Sequence, residues 1–120
     1  MAKTLLIVDD EASMRKLYSR VFSSGDYAVS LAASLAEALE LAAENAFDLI
    51  ITDFNLGDGE GTELIRDLKR RGRPAKVVLI SGSLNGEELL KTAALHGIQA
   101  CFGKPFNSEE LISTVSALLD

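Results

Sequence analysis

The 120-residue sequence contains a single cysteine, no tryptophan and no apolar run that approaches the length of a membrane span. With Cys101 alone, no intramolecular disulfide can form, and a reducing compartment is indicated. The first hydrophobic run is too short for the core of a secretion signal, and two aspartates end it. From these absences we expect a cytoplasmic protein that makes no contact with membranes.

Positive charge is also scarce, because 12 lysines and arginines face 18 aspartates and glutamates, for a formal net charge of −6. Non-specific binding of nucleic acid requires a basic face, so we expect no nucleic-acid partner. The cluster Lys69–Arg71 with Arg73 is a local exception, and a small basic patch is one interpretation of it. The favoured interpretation is the end of a helix, where cations interact well with the helix dipole.

Short apolar runs alternate along the chain with longer segments of helical period. The predicted strands are Leu5–Val8, Tyr27–Leu31, Leu49–Ile51, Val77–Ile80 and Ala100–Phe102. The predicted helices are Ala12–Phe22, one from Ser34 to about Asn45, Thr62–Arg71, Glu87–His96 and one that follows Pro105. Such alternation predicts one α/β domain, residues 1–120, with a parallel sheet between two layers of helices. A barrel of eight strands would need about twice this length, so a doubly wound open sheet is favoured.

Polar side chains follow four of the predicted strands at the points where the strands end. Asp9 and Asp10 follow the first strand, Asp53 the third, Ser81 the fourth and Lys104 the fifth. Open α/β sheets bind ligands at this edge. Three neighbouring carboxylates repel one another unless a proton or cation intervenes, which predicts a hard divalent metal with oxygen ligands. Taken singly, the acids are more typical of helix N-caps, the serine of a turn and the lysine of the surface.

Taken together, these residues resemble the receiver domain of two-component response regulators, the CheY-like superfamily. The resemblance runs from Leu5–Glu11 through Asp53 to the corner Lys104–Phe106 and the last helix. It implies a flavodoxin-like (βα)5 sandwich whose five parallel strands lie in the order 2-1-3-4-5. It also implies a phosphoryl donor, a histidine kinase or histidine phosphotransfer protein, and a downstream protein that binds the face made by helix 4, strand 5 and helix 5.

The resemblance assigns roles around a bound Mg²⁺ ion. Asp53 is implied as the phosphoacceptor and as a source of one carboxylate ligand. Asp10 would bind the metal directly, Asp9 mostly through water, and Asn55 through its backbone carbonyl. Such a domain catalyses only its own phosphorylation and dephosphorylation, so we do not expect a conventional enzyme.

Two further residues are implied to hold the phosphoryl group itself. Ser81 would bind it after activation, and Lys104 would pair with its negative charge. Fixed donors of this kind stabilise the transition state of phosphoryl transfer. The family usually has a cis peptide bond between the residues that correspond here to Lys104 and Pro105, and an X-Pro bond adopts cis at low cost.

One departure from the family pattern lies three residues before Lys104. The family usually has tyrosine or phenylalanine there, and this ring changes rotamer on activation, whereas this chain has Cys101. The neighbouring Phe102 points to the opposite face of a strand. We therefore expect phosphorylation without the aromatic half of the switch. The alternative is a receiver-like interaction module that works without phosphorylation.

A second departure follows Asp53, where the family often has Met-Pro and this chain has Leu56 and Gly57. Further glycines at positions 59 and 61 make the loop permissive in its backbone angles. We predict that the loop is mobile without metal and that metal binding orders part of it. Asp58 and Glu60 in this loop are expected to be solvated.

A third hypothesis is a metal-dependent phosphatase of the haloacid-dehalogenase type. Such enzymes usually carry a second aspartate two residues after the nucleophile as a general acid, and Asn55 occupies that position. The only histidine, His96, is predicted at a helix C-terminus, where an imidazolium suits the dipole, and not as a phosphoryl donor.

Overall fold

The computed structural model describes residues 2–120, in which five strands alternate with five helices. The strands are β1 Lys3–Val8, β2 Tyr27–Ala32, β3 Leu49–Asp53, β4 Lys76–Ser81 and β5 Ala100–Gly103. The helices are α1 Ala12–Val21, α2 Leu35–Glu44, α3 Gly61–Arg70, α4 Gly86–His96 and α5 Ser108–Leu119. Every predicted element is present, and its ends differ from the prediction by one or two residues.

The strands form one parallel sheet in the order β2-β1-β3-β4-β5, which confirms the flavodoxin-like topology. β1 lies beside β3 with Leu5 opposite Leu49 and Val8 opposite Thr52. This register brings the ends of the two strands level with each other, so the residues that follow Val8 and Thr52 meet at one edge. We call the edge at the C-terminal ends of the strands the site edge.

Both faces of the central strands β1, β3 and β4 are buried, which explains why these strands contain continuous aliphatic runs. Leu6 and Ile50 face one core, to which α2 and α3 contribute, and Leu5 and Ile51 face a second core, to which α1 and α5 contribute. All four strand residues are essentially inaccessible to solvent. Burial of each such side chain stabilises the fold by about 1.5–3 kcal/mol relative to exposure.

Side-chain caps begin several of the helices, among them α2 and α5. The Ser34 hydroxyl accepts the Glu37 N–H at 3.1 Å, and the Asn107 side chain accepts the Glu110 N–H at 3.0 Å. Gly97 ends α4 with a φ of 65°, the left-handed conformation that glycine adopts without strain. These three contacts are local, so residues close in sequence specify them.

Cations gather at the opposite edge, where the strands begin and the helices end. Lys69 Nζ donates to the His96 carbonyl at the end of α4 at 2.6 Å. Arg73 donates to the Ala43 carbonyl at the end of α2 at 2.8 Å. Lys76 donates to the carbonyl of Leu118, in α5. The basic cluster therefore lies at the C-terminus of α3 and also binds the C-terminal carbonyls of neighbouring helices.

Across residues 2–120, none of the helices combines the length and the apolar composition needed to cross a membrane.

Candidate functional site

Four carboxylates meet at the site edge. Asp9, Asp10, Glu11 and Asp53 each offer an oxygen, and these oxygens lie within 4.8 Å of one another. Asp9 is 0% exposed and Asp53 is 8% exposed, whereas the other two are open to solvent. The strand register produces this arrangement, because Val8 pairs with Thr52 and the next residue of each chain segment is an aspartate.

Lys104 supplies the positive charge in this cluster. Its Nζ donates to Asp53 Oδ2 at 2.8 Å, to Asp9 Oδ2 at 3.1 Å and to Glu11 Oε1 at 3.3 Å. Burial acts to lower the pKa of Lys104, but the hydrogen bonds to Asp53 and then Asp9 outweigh it and raise the pKa above its usual value. The ammonium group is therefore fully charged at neutral pH. The Lys104–Pro105 peptide bond is cis.

For Asp9, the Lys104 ammonium does not fully offset the effect of burial. Burial raises the pKa of Asp9, although the Glu11 N–H and the Lys104 ammonium act to lower it. The Glu11 N–H donates to Asp9 Oδ1 at 2.9 Å, and the Arg15 guanidinium donates to the Asp9 carbonyl at 2.9 Å. A rigid, all-oxygen donor set with uncompensated negative charge fits a hard divalent cation such as Mg²⁺.

Asn55 lies in the loop that leads from β3 to α3. The Leu56 N–H donates to the Gly59 carbonyl at 2.9 Å, which closes a bridge between Asn55 and Glu60. The Asn55 side chain accepts the Gly57 N–H at 3.1 Å. Neither bond uses the Asn55 carbonyl, which the resemblance implies as a metal ligand. Gly57 has a φ of 83°, and a Cβ added there would lie 3.5 Å from Asp10 Oδ2, so the loop runs alongside the acids.

Ser81 ends β4 and is 1% exposed. Its hydroxyl oxygen accepts the N–H groups of Ser83 and Leu84 at 3.1 and 3.0 Å. The hydroxyl is therefore part of a turn in this conformation, which is the simpler of the two interpretations of the sequence. Ser83, two residues later, lines the open cleft together with Lys104 and Asp53.

Asp58 is exposed to solvent, as the sequence predicts, but sequence reasoning misses its hydrogen bonds to α2. Its Oδ1 accepts the Leu35 N–H at 2.9 Å, and its Oδ2 accepts the Ala36 N–H at 3.1 Å. These two hydrogen bonds lower the pKa of the Asp58 carboxyl. Glu60 is the N-cap residue of α3, and its N–H donates to Glu63 Oε2 at 2.8 Å. In the sequence, Ser34 indicates where α2 starts, but no local pattern indicates that Asp58 from a distant loop also caps this helix.

Two other sequence expectations concern β5 and α4. Cys101 is half-buried, and burial raises the pKa of its thiol. Phe102 packs against the core that α1 and α5 share, on the side away from Cys101, as the strand period predicts. His96 ends α4, but burial and then the charges of Arg66 and Lys69 lower its pKa. The position at the helix end is as the sequence predicts, but burial and the nearby cations disfavour the charged imidazolium there.

The geometry agrees with what comparison with known proteins finds. The sequence profile described as the response regulator receiver domain matches residues 5–116. The phosphate regulon transcriptional regulatory protein PhoB of Pseudomonas aeruginosa is 32% identical over 120 residues, which is 99% of this chain and 52% of that protein. The two-component response regulator PhoP of the same organism is 33% identical over 116 residues, 96% of this chain and 51% of that protein. The chain thus spans about half the length of the curated relatives it matches.

Solved structures resemble the whole fold. Chemotaxis response regulator CheY4 of Vibrio cholerae superposes with a TM-score of 0.89 at 27% identity, covering 99% of this chain and 100% of that one. A CheY-like response regulator receiver domain protein of Methanospirillum hungatei JF-1 gives 0.90 at 28% identity, covering 100% and 95%. The signal receiver domain of a LuxO repressor protein of Vibrio parahaemolyticus gives 0.91 at 20% identity, covering 99% and 91%, and shows the fold alone.

Proposed function

Because the chain belongs to the response regulator receiver domain family, we propose that it is a phosphorylation-controlled switch in which Asp53 accepts a phosphoryl group from a phosphohistidine donor. The observation that carries this proposal is the position of the Asp53 carboxylate. It lies among three other acids, with the ammonium of Lys104 2.8 Å from its Oδ2. A nucleophilic carboxylate beside a fixed cation, in an open cleft, is suited to attack phosphorus and to tolerate the charge that arrives with it.

Receiver domains of this family bind Mg²⁺ at an acidic pocket, and the four clustered acids form such a pocket here. We propose that Asp10, the Asp53 carboxylate and the Asn55 carbonyl hold the ion, with Asp9 bound mostly through water. When bound, the ion supplies positive charge that offsets the phosphoryl oxygens. The burial of Asp9 and Asp53 beside the Lys104 ammonium supports this assignment, since a second cation would offset negative charge that one ammonium does not.

The chemistry falls to the chain's own side chains. An Asp53 oxygen forms the new P–O bond while the P–N bond to the donor imidazole breaks, and the electron pair leaves with the imidazole. Lys104 then exchanges its contact with Asp53 for one with a phosphoryl oxygen. Ser81 accepts two backbone N–H groups through its oxygen and lies 3.3 Å from the Ser83 hydroxyl, so its proton would have to turn from Ser83 to donate to another phosphoryl oxygen. The same groups assist hydrolysis, so the chain acts on its own acyl phosphate and is not a conventional enzyme.

Partners follow from the same proposal. The relatives are response regulators that histidine kinases phosphorylate, so we expect a histidine kinase or a histidine phosphotransfer protein as the donor. We propose that the downstream protein binds the face formed by α4, β5 and α5. Both helices carry exposed apolar side chains, Leu90 and Leu95 in α4 and Ile112 in α5, which are compatible with such a partner. A cytoplasmic location, with no membrane or nucleic-acid contact by this domain, belongs to the proposal as well.

The test is the intact mass of the protein after incubation with acetyl phosphate and Mg²⁺. We expect one added phosphoryl group in the wild type and none with Asp53→Asn or in EDTA. Asp48→Asn is a matched control, because Asp48 lies just before the other end of β3 and should leave uptake unchanged. Asp53→Asn should keep the fold and its melting temperature or raise it, since one member of a repelling cluster is removed.

The competing hypotheses give different outcomes in the same samples. No adduct with acetyl phosphate or with a histidine kinase, and no rise in melting temperature with millimolar Mg²⁺, would favour the interaction module that works without phosphorylation. Repeated turnover of a chromogenic phosphate ester would favour the phosphatase. Asn55 argues against that hypothesis, because an amide cannot serve as the general acid.

A further inference from the structure

We infer that Asp58 is a positioning residue for the phosphorylation site. Its carboxylate accepts two hydrogen bonds from the first turn of α2 and so holds the loop that carries Asn55 against that helix. We call these two hydrogen bonds the tie. This inference rests on the proposed function and adds a determinant that lies outside the acid cluster. The residue is in the β3–α3 loop, three positions after Asn55, and its two hydrogen-bond partners are 22 and 23 residues away in sequence.

The tie satisfies groups that a helix leaves without partners. The first N–H groups of a helix have no acceptor inside it. In α2, the Leu35 and Ala36 N–H groups donate to the two oxygens of Asp58, and the Glu37 N–H donates to Ser34. A carboxylate at this position also interacts favourably with the positive end of the helix dipole. Both the loop and the helix are therefore more stable when the tie is made.

Packing holds the loop against α2 on either side of Asp58. Leu56 is buried in the same core as Leu35. Gly59 lies so close to α2 that an added Cβ would come within 2.5 Å of Leu35 Cδ2 and 2.7 Å of Glu63 Oε2. The loop is glycine-rich, but these contacts and the hydrogen bonds of the Asp58 carboxylate hold it against α2.

The remaining contacts connect the tie to the site. Gly57 donates to the Asn55 side chain and runs beside Asp10, and the Leu56 to Gly59 hydrogen bond closes the turn around Asp58. A shift of Asp58 must therefore displace either Asn55 or the segment beside Asp10. Groups that orient metal ligands from outside the coordination sphere affect metal affinity without touching the ion. The structure thus assigns the preordering of this loop to Asp58, in place of the metal-induced ordering that its glycines suggest.

The test compares Mg²⁺ affinity, measured by isothermal titration calorimetry, among the wild type, Asp58→Ala and Asp58→Asn. We expect Asp58→Ala to weaken Mg²⁺ binding by about tenfold, at the low end of the effect of second-sphere changes. Asp58→Asn should recover part of the affinity, since its single oxygen still accepts one N–H. Amide exchange in EDTA should be faster at residues 56–59 in Asp58→Ala than in the wild type.

Two control variants separate positioning from general stability. Ser34→Ala removes a cap of the same helix but leaves the tie intact. Asp48→Ala removes a carboxylate that accepts the N–H and the hydroxyl of Thr4 at 2.8 and 3.0 Å, at the opposite edge. Both variants should lower the melting temperature in EDTA, as Asp58→Ala does, and keep the wild-type Mg²⁺ affinity.

Wild-type Mg²⁺ affinity in Asp58→Ala, or an equal loss of affinity in Ser34→Ala, would overturn the inference. Unchanged amide exchange at residues 56–59 in EDTA would overturn it as well, and this measurement needs no metal. A wild type that binds no Mg²⁺ and takes up no phosphoryl group would instead refute the proposed function, and with it the role of Asp58 in the site.

Discussion

The two edges of the sheet use charge in opposite ways. At the opposite edge, Lys69 and Arg73 lie on the carbonyls at the ends of α4 and α2, where helix dipoles favour cations. At the site edge, four carboxylates crowd around the single ammonium of Lys104, and two of them are buried. Charges at the opposite edge stabilise the fold, whereas the carboxylates crowded at the site edge repel one another and destabilise it.

Two aspartates make this difference concrete. Asp67, near the end of α3, pairs with Arg70 and Arg71 at 2.9 and 2.8 Å, and these partners lower its pKa. Asp9 is paired with Lys104 at 3.1 Å, yet burial raises its pKa. The surroundings therefore favour the charged form of Asp67 at the opposite edge and disfavour the charged form of Asp9 at the site edge. A cation should therefore bind with a larger gain in free energy at the site edge, where positive charge is scarce.

The largest effect should come from Lys104→Met, which leaves the buried carboxylates of Asp9 and Asp53 without their cation. We expect the free energy of unfolding in EDTA to fall by about 2–4 kcal/mol, less than for a fully buried pair, since Lys104 is 17% exposed. Urea denaturation measures this change, and Mg²⁺ should restore part of the loss by binding the folded state. If Lys104→Met kept the wild-type stability in EDTA, solvent or protonation, and not Lys104, would offset the negative charge of Asp9 and Asp53.

Lys69→Met makes the same chemical change at the opposite edge and should have a smaller effect. It removes a cation from the last carbonyl of α4 but leaves no buried charge unpaired. We expect a loss of about 0.5–1 kcal/mol in the free energy of unfolding, the range for a charge at a helix end. Phosphoryl uptake from acetyl phosphate should match the wild type. A loss as large as that of Lys104→Met would remove the contrast between the two edges.

The smallest effect concerns pH at the opposite edge. Arg70, and then Arg71, lower the pKa of Asp67 below its unfolded value, so the carboxylate stabilises the fold above that value and loses its contribution as pH falls through the folded pKa. Asp67→Asn should therefore lower stability at neutral pH by about 0.2–1 kcal/mol, since Arg70 is largely exposed. At about pH 3 the difference between the wild type and the variant in urea denaturation should be smaller than at neutral pH. A constant difference at both pH values would show that the ion pairs contribute nothing.

Much of the fold is predictable from the chain because its signals are local. The apolar run Leu49–Ile51 marks a strand buried on both faces, and Ser34 with Glu37 marks the start of a helix. Predicted ends are off by one or two residues, since polar residues such as Asp53 and Ser81 continue their strands. Periodicity reports where side chains become polar, which differs slightly from where backbone pairing stops.

The candidate site was predictable in its members but not in all of their contacts. Asp9, Asp10, Asp53 and Lys104 meet because the ends of neighbouring parallel strands lie level, which follows from the fold alone. The turn that engages the Ser81 hydroxyl depends on the backbone that follows β4. No pattern in the sequence distinguishes that conformation from one in which the hydroxyl faces Asp53.

The sequence by itself determined the order of strands and helices, the local caps that begin α2 and α5, and which residue types end each strand. These features depend on neighbours a few residues apart, where backbone geometry limits the choices. Only the tertiary structure decided that Asp58 caps α2 and that Lys69 reaches the end of α4. Such contacts join residues more than twenty positions apart, and they form only where packing sets the helix ends within reach of a side chain.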